Sequence, residues 1–449
     1  MFKKILIANR GEIARRVIRT CKKMGIASVA VYSEADKDAP FVRDADEGFL
    51  LGPPPVGESY LKQDRILDIL KESGADALHP GYGLLSENAE FVNKVTNAGV
   101  TFIGPTPEVM NKMGDKSAAR SFALSADVPV VPGSEGEIAD EDAAVAFAEN
   151  FGYPILVKAA AGGGGIGMKV ATKEKKLRKA VTECQRRGQS AFGDPTIYLE
   201  RYVENPRHIE IQVFGDSQGN AVHLFERECS VQRRHQKVIE ETPSIFLNRF
   251  EDLRERMCAA AVRLVKQSNY TNAGTVEFIV SPEGEFYFIE MNTRLQVEHA
   301  ISEETTGFDL VEWQIRIAAG EPLPVSQEEI QFKGHAIECR IYCEDPEHHF
   351  FPKPGTIGAY SEPQGEGIRV DSGVRENFEV VSYYDPMIAK VISQGDTRDQ
   401  AIDRMLGALA DFTIEGLTNN ISMHQRVLQE EDFLNGNYDT GWLEALYKK

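Results

Sequence analysis

The first quarter of the chain alternates short apolar runs with longer stretches that mix apolar and polar residues. This pattern predicts strands at 4–8, 28–32 and 77–79, and helices at 12–24 and 60–72. A strand, a helix and a further strand in succession form a parallel sheet with helices on its faces. Residues 1 to about 114 are therefore predicted to form an α/β domain with a parallel sheet.

Two apolar runs in the second half of the chain predict a β-hairpin. The runs at 275–280 and 285–289 flank the sequence Ser-Pro-Glu-Gly at 281–284, which has the composition of a turn. If the loop spans 282–285, Glu277 and Glu290 face each other across the hairpin. Carboxylates that face each other on neighbouring strands repel, unless a cation lies between them.

Polar groups crowd the end of the second of these strands. Glu290, Asn292 and Arg294 project from one face in the period-2 geometry of a strand. An Asn beside two Glu supplies the hard oxygen ligands that Mg²⁺ takes, usually together with substrate phosphates. A solvated hairpin tip is the alternative, but the number and spacing of the polar groups favour a metal site formed by Glu277, Glu290 and Asn292.

A glycine run separates two further predicted strands, at 153–158 and 168–171. Five of the six residues 162–167 are glycine, so backbone N–H groups are free to close around phosphate oxygens. The loop is followed by a strand and not by Lys-Ser/Thr or a helix, which excludes a Walker A loop and a dinucleotide fingerprint. A flap that covers phosphates has this design. A flexible turn is the alternative, but Lys158 at the base of the loop favours an anion nearby.

Composition limits the partners. The net charge of −19 argues against nucleic acid or an anionic membrane as a partner. Anionic substrates then need a local basic cluster, which 233–237 offers. The chain has no apolar segment of transmembrane length, its apolar start is too short for a signal peptide, and its six cysteines include no Cys-x-x-Cys pair. We therefore expect a cytoplasmic protein with reduced thiols.

Several motifs together resemble the biotin carboxylase family of ATP-grasp enzymes. In chain order they are IANRGEIA (7–14), HPGYG (79–83), MGDK (113–116), GGGGIGM (162–168), RECSVQRRHQK (227–237), MNTRLQVEH (291–299) and YDPMIAK (384–390). The resemblance covers essentially the whole chain and implies a fold of mixed α/β and α+β class. Its expected parts are a Rossmann-like parallel-sheet domain at 1–114, an ATP-grasp region at 115–317 with a lid at about 130–203, and a mixed or antiparallel carboxy-terminal domain at 334–449.

The resemblance also implies a role for individual residues. The catalytic residues would be Arg294, Glu298, Arg340 and Lys237. ATP would be bound by Lys116, Lys158, Gly162, Gly163, Gly164, Gly165, Gly167, Glu200, Arg201, Val203, His208, Gln232, His235 and Ile279. Bicarbonate would be bound by Lys237, Arg294, Gln296, Val297 and Glu298, the last as general base. Biotin would contact Tyr82 and Arg340, although a tight turn of Pro and Gly is a live alternative for the segment of Tyr82. Two Mg²⁺ (or Mn²⁺) ions would be held by Glu277, Glu290 and Asn292.

The implied activity is the ATP- and bicarbonate-dependent carboxylation of biotin through carboxyphosphate, as the first half-reaction of an acyl-CoA carboxylase such as the acetyl-CoA carboxylase of fatty acid biosynthesis. A subunit of a pyruvate, propionyl-CoA or other acyl-CoA carboxylase is the alternative. A different ATP-grasp ligase that joins a carboxylate to an amine, or a non-catalytic nucleotide-binding subunit, is less favoured, because Glu277, Glu290 and Glu298 are all present.

Partners follow from the same resemblance. The chain has no Met-Lys-Met sequence, the usual site of biotin attachment. We therefore expect biotin to be carried as a substrate by a separate biotin carboxyl carrier protein, with a separate carboxyltransferase. The family also implies a homodimer.

Three positions depart from the family pattern. Ile166 stands where many members have Arg, and this removes a charge from the flap. Ala300 follows the MNTRLQVEH motif where Pro is common, and is expected to loosen the loop that bears Glu298. Arg201 replaces a frequent Lys.

Overall fold

The structure is a computed structural model that describes residues 1–134, 136–159 and 168–448. The elements of its amino-terminal part are β1 (Lys4–Ile7), α1 (Gly11–Met24), β2 (Ala27–Ser33), α2 (Pro40–Asp44), β3 (Glu47–Gly52), α3 (Gln63–Ser73), β4 (Ala77–His79), α4 (Ala89–Asn97), β5 (Thr101–Phe102) and α5 (Pro107–Gly114). The strands form one parallel sheet in the order β3-β2-β1-β4-β5. The predicted parallel sheet with flanking helices is therefore confirmed.

One boundary in this sheet differs from the prediction. The helix predicted from residue 60 begins at Gln63. Tyr60 lies in the turn before it, where its side chain is buried and its hydroxyl donates to Asp36 Oδ2 at 2.5 Å. An aromatic residue whose hydroxyl bonds a carboxylate is held by tertiary contacts, which periodicity in the sequence does not reveal.

The lid is a small antiparallel sheet covered by two helices. Its elements, with the helix that leads into it, are α6 (Lys116–Ser125), α7 (Glu141–Phe151), β6 (Ile155–Ala159), β7 (Met168–Ala171), α8 (Glu174–Phe192) and β8 (Ile197–Arg201). The strand order is β7-β6-β8, and Val157, Leu177 and Leu199 are among the apolar side chains buried in its own small core. The predicted flap, with Gly162, Gly163, Gly164, Gly165, Ile166 and Gly167, lies outside the described residues.

The rest of the chain is built around one large sheet. The elements that precede residue 334 are β9 (Arg207–Gly215), β10 (Ala221–Arg233), β11 (Gln236–Thr242), α9 (Leu253–Gln267), β12 (Asn272–Val280), β13 (Phe286–Asn292), α10 (His299–Thr306) and α11 (Leu310–Ala318). Those that follow are β14 (His335–Tyr342), β15 (Glu344–Asp345), β16 (Phe351–Pro352), β17 (Gly355–Thr356), β18 (Tyr360–Ser361), β19 (Ile368–Ser372), β20 (Glu379–Val380), β21 (Met387–Gly395), α12 (Arg398–Asp411), β22 (Thr413–Ile414), α13 (Ile421–Val427), α14 (Glu431–Leu434) and α15 (Trp442–Tyr447).

Eight of these strands form a continuous antiparallel sheet in the order β13-β12-β9-β10-β11-β14-β21-β19. β11 and β14 pair directly, from Ile239 opposite Cys339 to Thr242 opposite Ala336. The sheet therefore runs across the boundary expected near residue 334. The mixed fold class is confirmed, with a parallel amino-terminal sheet and antiparallel sheets elsewhere.

Two further properties of the described residues concern the environment of the chain. All six cysteines are buried free thiols. Among the described helices, none combines the length and the apolar character that a membrane crossing requires.

Candidate active site

Several of the polar side chains that the sequence singles out meet on one face of the eight-stranded sheet, among them Lys237, Glu277, Glu298 and Arg340. On β9, Ile209, Ile211 and Val213 pack into an apolar cluster with α9. The alternate residues Glu210 and Gln212 point to the opposite face, where both contact Arg227 of β10. That second face carries the candidate site, and α10 packs over it.

Glu277 and Glu290 face each other across β12 and β13, as the sequence predicts. The route to this pairing differs from the expected one. The turn is one residue longer, because Val280 pairs with Phe286, and a β-bulge at Ile289 then shifts the register so that Glu277 meets Glu290. If the ladder continued from Phe278–Phe288 without a bulge, Ile289 would oppose Glu277 and Glu290 would point to the other face.

The carboxylate of Glu277 is surrounded by hydrogen-bond donors. Its Oε1 accepts from Lys237 Nζ at 2.9 Å, Asn292 Nδ2 at 2.8 Å and Gln296 Nε2 at 2.9 Å, and its Oε2 lies 2.9 Å from His208 Nε2. Burial would raise the pKa of Glu277, but Lys237 and His208 outweigh burial and hold this pKa well below its ordinary value. Glu277 is therefore ionised at neutral pH.

Lys237 joins three carboxylates. Its Nζ donates to Glu210 Oε2 at 2.5 Å, Glu277 Oε1 at 2.9 Å and Glu298 Oε1 at 2.7 Å. Burial alone would lower the pKa of Lys237, but the three carboxylates raise it well above its ordinary value. Lys237 is therefore a fixed positive charge at the centre of the site.

Glu298 lies between two cations. Its Oε2 accepts from Arg340 Nη2 at 3.0 Å, while its Oε1 accepts from Lys237. Burial would raise the pKa of Glu298, yet Lys237 and Arg340 lower it well below its ordinary value. Arg340 is itself shared, because its Nε lies 2.7 Å from Glu240 Oε1. The structure thus brings together Lys237, Glu298 and Arg340, three of the four residues predicted to be catalytic.

The backbone at Arg340 is held from the far end of the chain. Its carbonyl oxygen accepts from Asn420 Nδ2 at 3.0 Å and from His424 Nε2 at 2.8 Å, and both side chains are buried. Asn420 Oδ1 also accepts from the N–H of Tyr342 at 2.8 Å. The segment that enters α13 therefore fixes the strand that carries Arg340.

Glu290 is the more open member of the facing pair. Its side chain is 40% exposed, and Lys116 Nζ lies 3.8 Å from its Oε2. Burial and the facing Glu277 raise the pKa of Glu290. Two facing carboxylates, one of them accessible, form an oxygen-lined position where a divalent cation would relieve the repulsion. The residues present therefore fit the predicted metal site.

Two features bear on the details of that metal site. Asn292 donates its Nδ2 to Glu277 and accepts from Arg294 Nη2 at 2.9 Å, so its oxygen points away from Glu277. His208, Glu210 and Glu277 also hold ligand atoms within 4.8 Å of one another. Because Lys237 already bonds both of those carboxylates, we favour the Glu277–Glu290 pair as the cation position.

Arg294 is anchored by a residue that the sequence analysis did not single out. Its Nε donates to Glu87 Oε2 at 2.9 Å, and Glu87 Oε1 accepts from the N–H of Thr293 at 2.9 Å. Glu87 belongs to the loop before α4, so the amino-terminal sheet positions this arginine. The segment that follows Arg294 is also fixed, because Lys390 Nζ donates to the carbonyl oxygen of Val297 at 2.6 Å.

Tyr82 lies at the carboxyl end of β4, where a parallel sheet presents its ligands. Asn9 Nδ2 donates to the carbonyl oxygens of Pro80 and Tyr82 at 2.7 Å each. Gly81 has φ +62, and a Cβ at this position would lie 2.9 Å from Asn9 Nδ2, so the turn needs glycine. The tyrosine hydroxyl donates to Glu12 Oε1. The backbone of this segment therefore forms a tight turn, while the side chain of Tyr82 bonds to a buried carboxylate.

The predicted phosphate-binding lysines have carboxylate partners. Lys158 Nζ donates to Glu200 Oε2 at 2.8 Å within the lid, and Lys116 approaches Glu290 as described. Arg120 lies 3.6 Å from Glu200 Oε1. The anion that the sequence predicts beside Lys158 is, in this structure, the carboxylate of Glu200 on the neighbouring strand β8.

A small apolar cluster lies where several of the predicted ATP-binding residues come together. Val203, Val131 and Tyr287 are buried against one another, and Ile279 packs at their edge. Arg201 ends β8 and lies 3.5 Å from Glu285. These side chains form an apolar patch on which a flat aromatic group could pack.

His208 and Gln232 are neighbours, and His235 is set apart from them. Gln232 Nε2 lies 2.7 Å from His208 Nδ1, on the ring side opposite Glu277. His235 is exposed in the turn between β10 and β11, where its φ is +65. Ala300 is fully buried in the first turn of α10, so this departure falls in a helix rather than a loop.

Several residues of the site were not found from the sequence. The additional buried charges are Glu210, Arg227, Glu240, Glu338 and Lys390. Glu338 lies two residues from Arg340 in an apolar strand. Two charged residues in such an apolar run could have indicated a functional site. Glu210 alternates with Ile209 and Ile211, which the residues of a surface strand would also do, so its burial is not evident from the sequence.

Comparison with known proteins agrees with this geometry. Family models match the biotin carboxylase N-terminal domain at 1–110, the carbamoyl-phosphate synthase L chain ATP-binding domain at 115–326 and the biotin carboxylase C-terminal domain at 338–445. A biotin carboxylase of Halalkalibacterium halodurans is 55% identical over 99% of this chain and 97% of its own length.

Two solved structures add three-dimensional matches. The biotin carboxylase domain dimer of Hydrogenobacter thermophilus 2-oxoglutarate carboxylase, in complex with MgADP, ADP and bicarbonate, superimposes with a TM-score of 0.92 at 46% identity, over 99% of this chain and 98% of that one. The biotin carboxylase part of a pyruvate carboxylase superimposes with a TM-score of 0.88 at 47% identity, over 100% of this chain and 99% of that one.

The fold and the site define an enzyme of the ATP-grasp ligase class. Within that class, the chain belongs to the biotin carboxylase family.

Proposed function

We propose that this enzyme carboxylates biotin on a separate carrier protein, using ATP and bicarbonate, as the first half-reaction of an acyl-CoA carboxylase. The observation that supports this function best is Glu298, a buried carboxylate held between Lys237 and Arg340 beside the facing pair Glu277 and Glu290. One end of this array suits a nucleotide with its metal, and the other suits a second, anionic reactant.

In the proposed first stage, Lys116 and Lys158 bind the ATP phosphates, and adenine packs on the apolar patch that includes Val203 and Ile279. His208 and Gln232 contact the nucleotide in this proposal. Glu277, Glu290 and Asn292 would hold Mg²⁺, which when bound neutralises phosphate charge. The flap predicted at 162–167 and the turn at His235 complete the ATP contacts in this proposal.

Bicarbonate is proposed to lie among Lys237, Arg294, Gln296 and the backbone of Val297. Glu298 takes the proton of its hydroxyl group, and the resulting oxygen attacks the γ-phosphorus as the bond to ADP breaks. The products are carboxyphosphate and ADP. Catalysis here depends on positioning and charge neutralisation, which fits a site built from fixed ion pairs.

In the proposed second stage, carboxyphosphate releases CO₂ and phosphate inside the closed lid. Phosphate takes the ureido proton of biotin, and the nitrogen so exposed attacks CO₂. Arg340 stabilises the negative charge that develops on the ureido oxygen, and Tyr82 lies against biotin. Water must be excluded meanwhile, because carboxyphosphate hydrolyses.

Acetyl-CoA is our proposed final acceptor, which would make the chain part of fatty acid biosynthesis. The relatives named above include parts of pyruvate and 2-oxoglutarate carboxylases, so pyruvate or another acceptor is the alternative. The acceptor is chosen by a separate carboxyltransferase. To distinguish the acceptors, the carrier carboxylated with a labelled carboxyl group is mixed with that carboxyltransferase and with each acceptor in turn. The acceptor that takes up the label is the substrate.

We propose a cytoplasmic homodimer made of three units per chain, at 1–114, 115–317 and 334–449. The structural relative described as a domain dimer supports the dimer. Light scattering of the purified chain measures its mass directly, and a monomer at micromolar concentration would contradict this part of the proposal.

The decisive assay is bicarbonate-dependent ADP release from ATP, stimulated by free biotin. Stimulation by biotin supports the function, whereas stimulation by an amine and a carboxylate would favour the alternative ATP-grasp ligase. Lack of ATP turnover would favour a non-catalytic subunit.

The carrier is predicted to be a different protein, because no Met-Lys-Met sequence occurs in this chain. A streptavidin blot of the purified chain should show no covalent biotin, while a biotinylated carrier run beside it gives the positive control. Covalent biotin on this chain would contradict the prediction.

A further inference from the structure

Two buried glutamates face each other directly behind Arg340. Glu240 of β11 and Glu338 of β14 are opposite each other in the antiparallel ladder, and both are 0% exposed. Residues that pair in this way point to the same face with Cβ atoms about 5 Å apart. Their carboxyl groups are therefore neighbours in a dry part of the sheet.

The surroundings do not supply donors to this pair. Among the described residues, none of the four carboxyl oxygens of Glu240 and Glu338 has a hydrogen-bond donor. Arg340 Nε lies 2.7 Å from Glu240 Oε1, so the two groups form an ion pair, but the angle does not meet the geometry of a hydrogen bond. Two ionised carboxylates at this separation, shielded from water, repel strongly. A proton on one of them would supply the missing donor.

Charged groups on the neighbouring elements are already engaged. Lys390 of β21 lies opposite Arg340 in the ladder, but it donates to the carbonyl of Val297 at 2.6 Å and lies 3.5 Å from Glu12. Lys237 serves three other carboxylates. Among the described residues, the other titratable groups that act on the pair are Glu298 before α10, Tyr82 after β4, Tyr342 and Cys339 of β14 and Cys229 of β10. Asp371 of β19 lies 4.0 Å from Lys390.

We propose that Glu240 and Glu338 act as an acid pair that shares one proton at neutral pH and positions Arg340 for the second stage of the reaction. The proposal rests on the proposed function for its catalytic consequence, although the shared proton itself does not. Both glutamates are positioning residues, since they act through Arg340.

The expected protonation agrees with this geometry. Burial raises the pKa of Glu338 well above its ordinary value. Burial also outweighs Arg340 at Glu240 and raises the pKa of that carboxyl to about 7. Near neutrality Glu338 therefore keeps its proton, while Glu240 changes between charged and neutral forms.

The charge on Glu240 decides how Arg340 is held. When Glu240 is ionised, the guanidinium lies between two carboxylates, Glu240 and Glu298, and its position is fixed from both sides. When Glu240 gains a proton, only Glu298 retains the arginine, and Arg340 is drawn toward it. Carboxylation of biotin should therefore rise with pH through a step near pH 7, while the yield of carboxybiotin per ADP rises with it.

The test compares pH profiles of carboxybiotin and ADP formation in the full-length enzyme. E240Q should remove the step near pH 7 and lower carboxybiotin formation on the order of 10- to 100-fold, less than direct loss of Arg340. E338Q mimics the protonated acid and donates to Glu240, so it should keep the activity at high pH and move the step to lower pH. E338A lacks that donor and should not be equivalent to E338Q.

Glu228 provides a matched control. It is also buried in the sheet, burial raises its pKa, and it accepts from Ser244 Oγ at 2.6 Å, away from Arg340. E228Q should leave the pH profile of the wild-type enzyme unchanged. An unchanged step in both E240Q and E338Q, or an equal shift in E228Q, would overturn the acid pair.

A second measurement needs no catalysis and so separates this proposal from the proposed function. Infrared spectra at neutral pH should contain the carbonyl stretch of a protonated buried carboxyl group, and this band should be absent from the spectrum of E338Q. Any change in the spectrum of E228Q should lie at a different frequency, because Glu228 has hydroxyl donors. If the wild-type spectrum has no band that E338Q removes, the shared proton is refuted, whatever the enzyme acts on.

Discussion

The carboxylate of Glu298 is a weak base in the resting site. Lys237 and Arg340 bond its two oxygens at 2.7 and 3.0 Å, and these cations hold its pKa well below the ordinary value against the effect of burial. A base of this kind becomes stronger when a bound anion draws one cation away. Binding of bicarbonate beside Lys237 would therefore activate the group that deprotonates it.

The two proposed stages can be separated by two substitutions. E298Q keeps the shape of the side chain but accepts no proton, so it should lose both ATP cleavage and biotin carboxylation by about 10²–10³-fold. R340Q should retain much of the bicarbonate-dependent ATP cleavage and fail to carboxylate biotin. Parallel assays of ADP and carboxybiotin measure both.

The folding of each variant should be checked by its melting temperature, because replacing Arg340 removes the cation beside Glu240 and one of the two cations beside Glu298. Equal losses in the two assays for R340Q would assign Arg340 to the bicarbonate stage and contradict the division.

His424 offers a prediction about support for the same arginine. Burial lowers the pKa of His424 to about 4, so the ring is neutral and its Nε2–H donates to the carbonyl of Arg340 at 2.8 Å. H424L removes one of two side-chain donors from a buried carbonyl, since Asn420 Nδ2 still donates to it, and this should cost about 0.5–1.5 kcal/mol of stability. The yield of carboxybiotin per ADP should also fall, by up to about tenfold if looser positioning of Arg340 raises the barrier of the second stage by as much as about 1.4 kcal/mol.

H424Q retains a donor and should recover most of both losses. If H424L lowers only the melting temperature and leaves the yield of carboxybiotin per ADP unchanged, His424 is structural and does not position Arg340.

At this scale the sequence predicted the residues with a strong chemical signature. The facing pair Glu277 and Glu290 followed from strand periodicity. Glu240 and Glu338 did not, because a charged residue in a strand signals burial only when the covering element is known, and α10 covers this face.

At the scale of elements, the β12–β13 hairpin reaches the predicted pairing by an unpredicted route. Its turn and its bulge compensate each other, because the longer turn shifts the register by one residue and Ile289 shifts it back. Turn composition does not distinguish a regular hairpin from a bulged one. The sequence could therefore indicate that Glu277 faces Glu290, but not the turn length or the bulge that produce this pairing.

The bulge gives a prediction with two outcomes. Deletion of Ile289 leaves every other pair of β12 and β13 in place and brings Glu290 opposite Glu277 in a regular ladder. Mg²⁺-dependent ATP cleavage should therefore remain within about tenfold of the wild-type rate, whereas E290Q, which removes a proposed metal ligand, should lose on the order of 10²–10³-fold.

I289T is the control for loss of the exposed side chain alone and should behave as wild type. A loss as large as that of E290Q in the deletion variant, with the fold retained, would mean that the bulge itself positions Glu290.

At the scale of the whole molecule, the site depends on the continuity of the eight-stranded sheet. β11 contributes Lys237 and Glu240, while β14, its neighbour across the boundary expected near residue 334, contributes Arg340 and Glu338. The alternation of elements predicted the parallel amino-terminal sheet. It could not predict that strands distant in sequence would share the second sheet, because strand order depends on long-range pairing.

A fragment of residues 1–330 should therefore fail to behave as a stable unit. Without β14, the edge of β11 is unpaired and open to association with other chains, and Glu240 and Glu298 lose Arg340. We expect this fragment to elute as aggregates in size-exclusion chromatography.

The control is the full chain with a protease site inserted after Gly320, in the connection between α11 and β14. After cleavage its two parts should elute together and retain activity. A monodisperse fragment of 1–330 that binds ATP as the full chain does would contradict this view of the sheet.

The way Lys237 is held has a consequence for ligand discovery. Its charge and that of Arg340 are already balanced by Glu210, Glu277, Glu298 and Glu240. A small anion that arrives alone would have to compete with these carboxylates for Lys237 and Arg340. Compounds that carry a positive group toward Glu290, or that arrive together with a divalent cation, should therefore bind better than simple bicarbonate mimics.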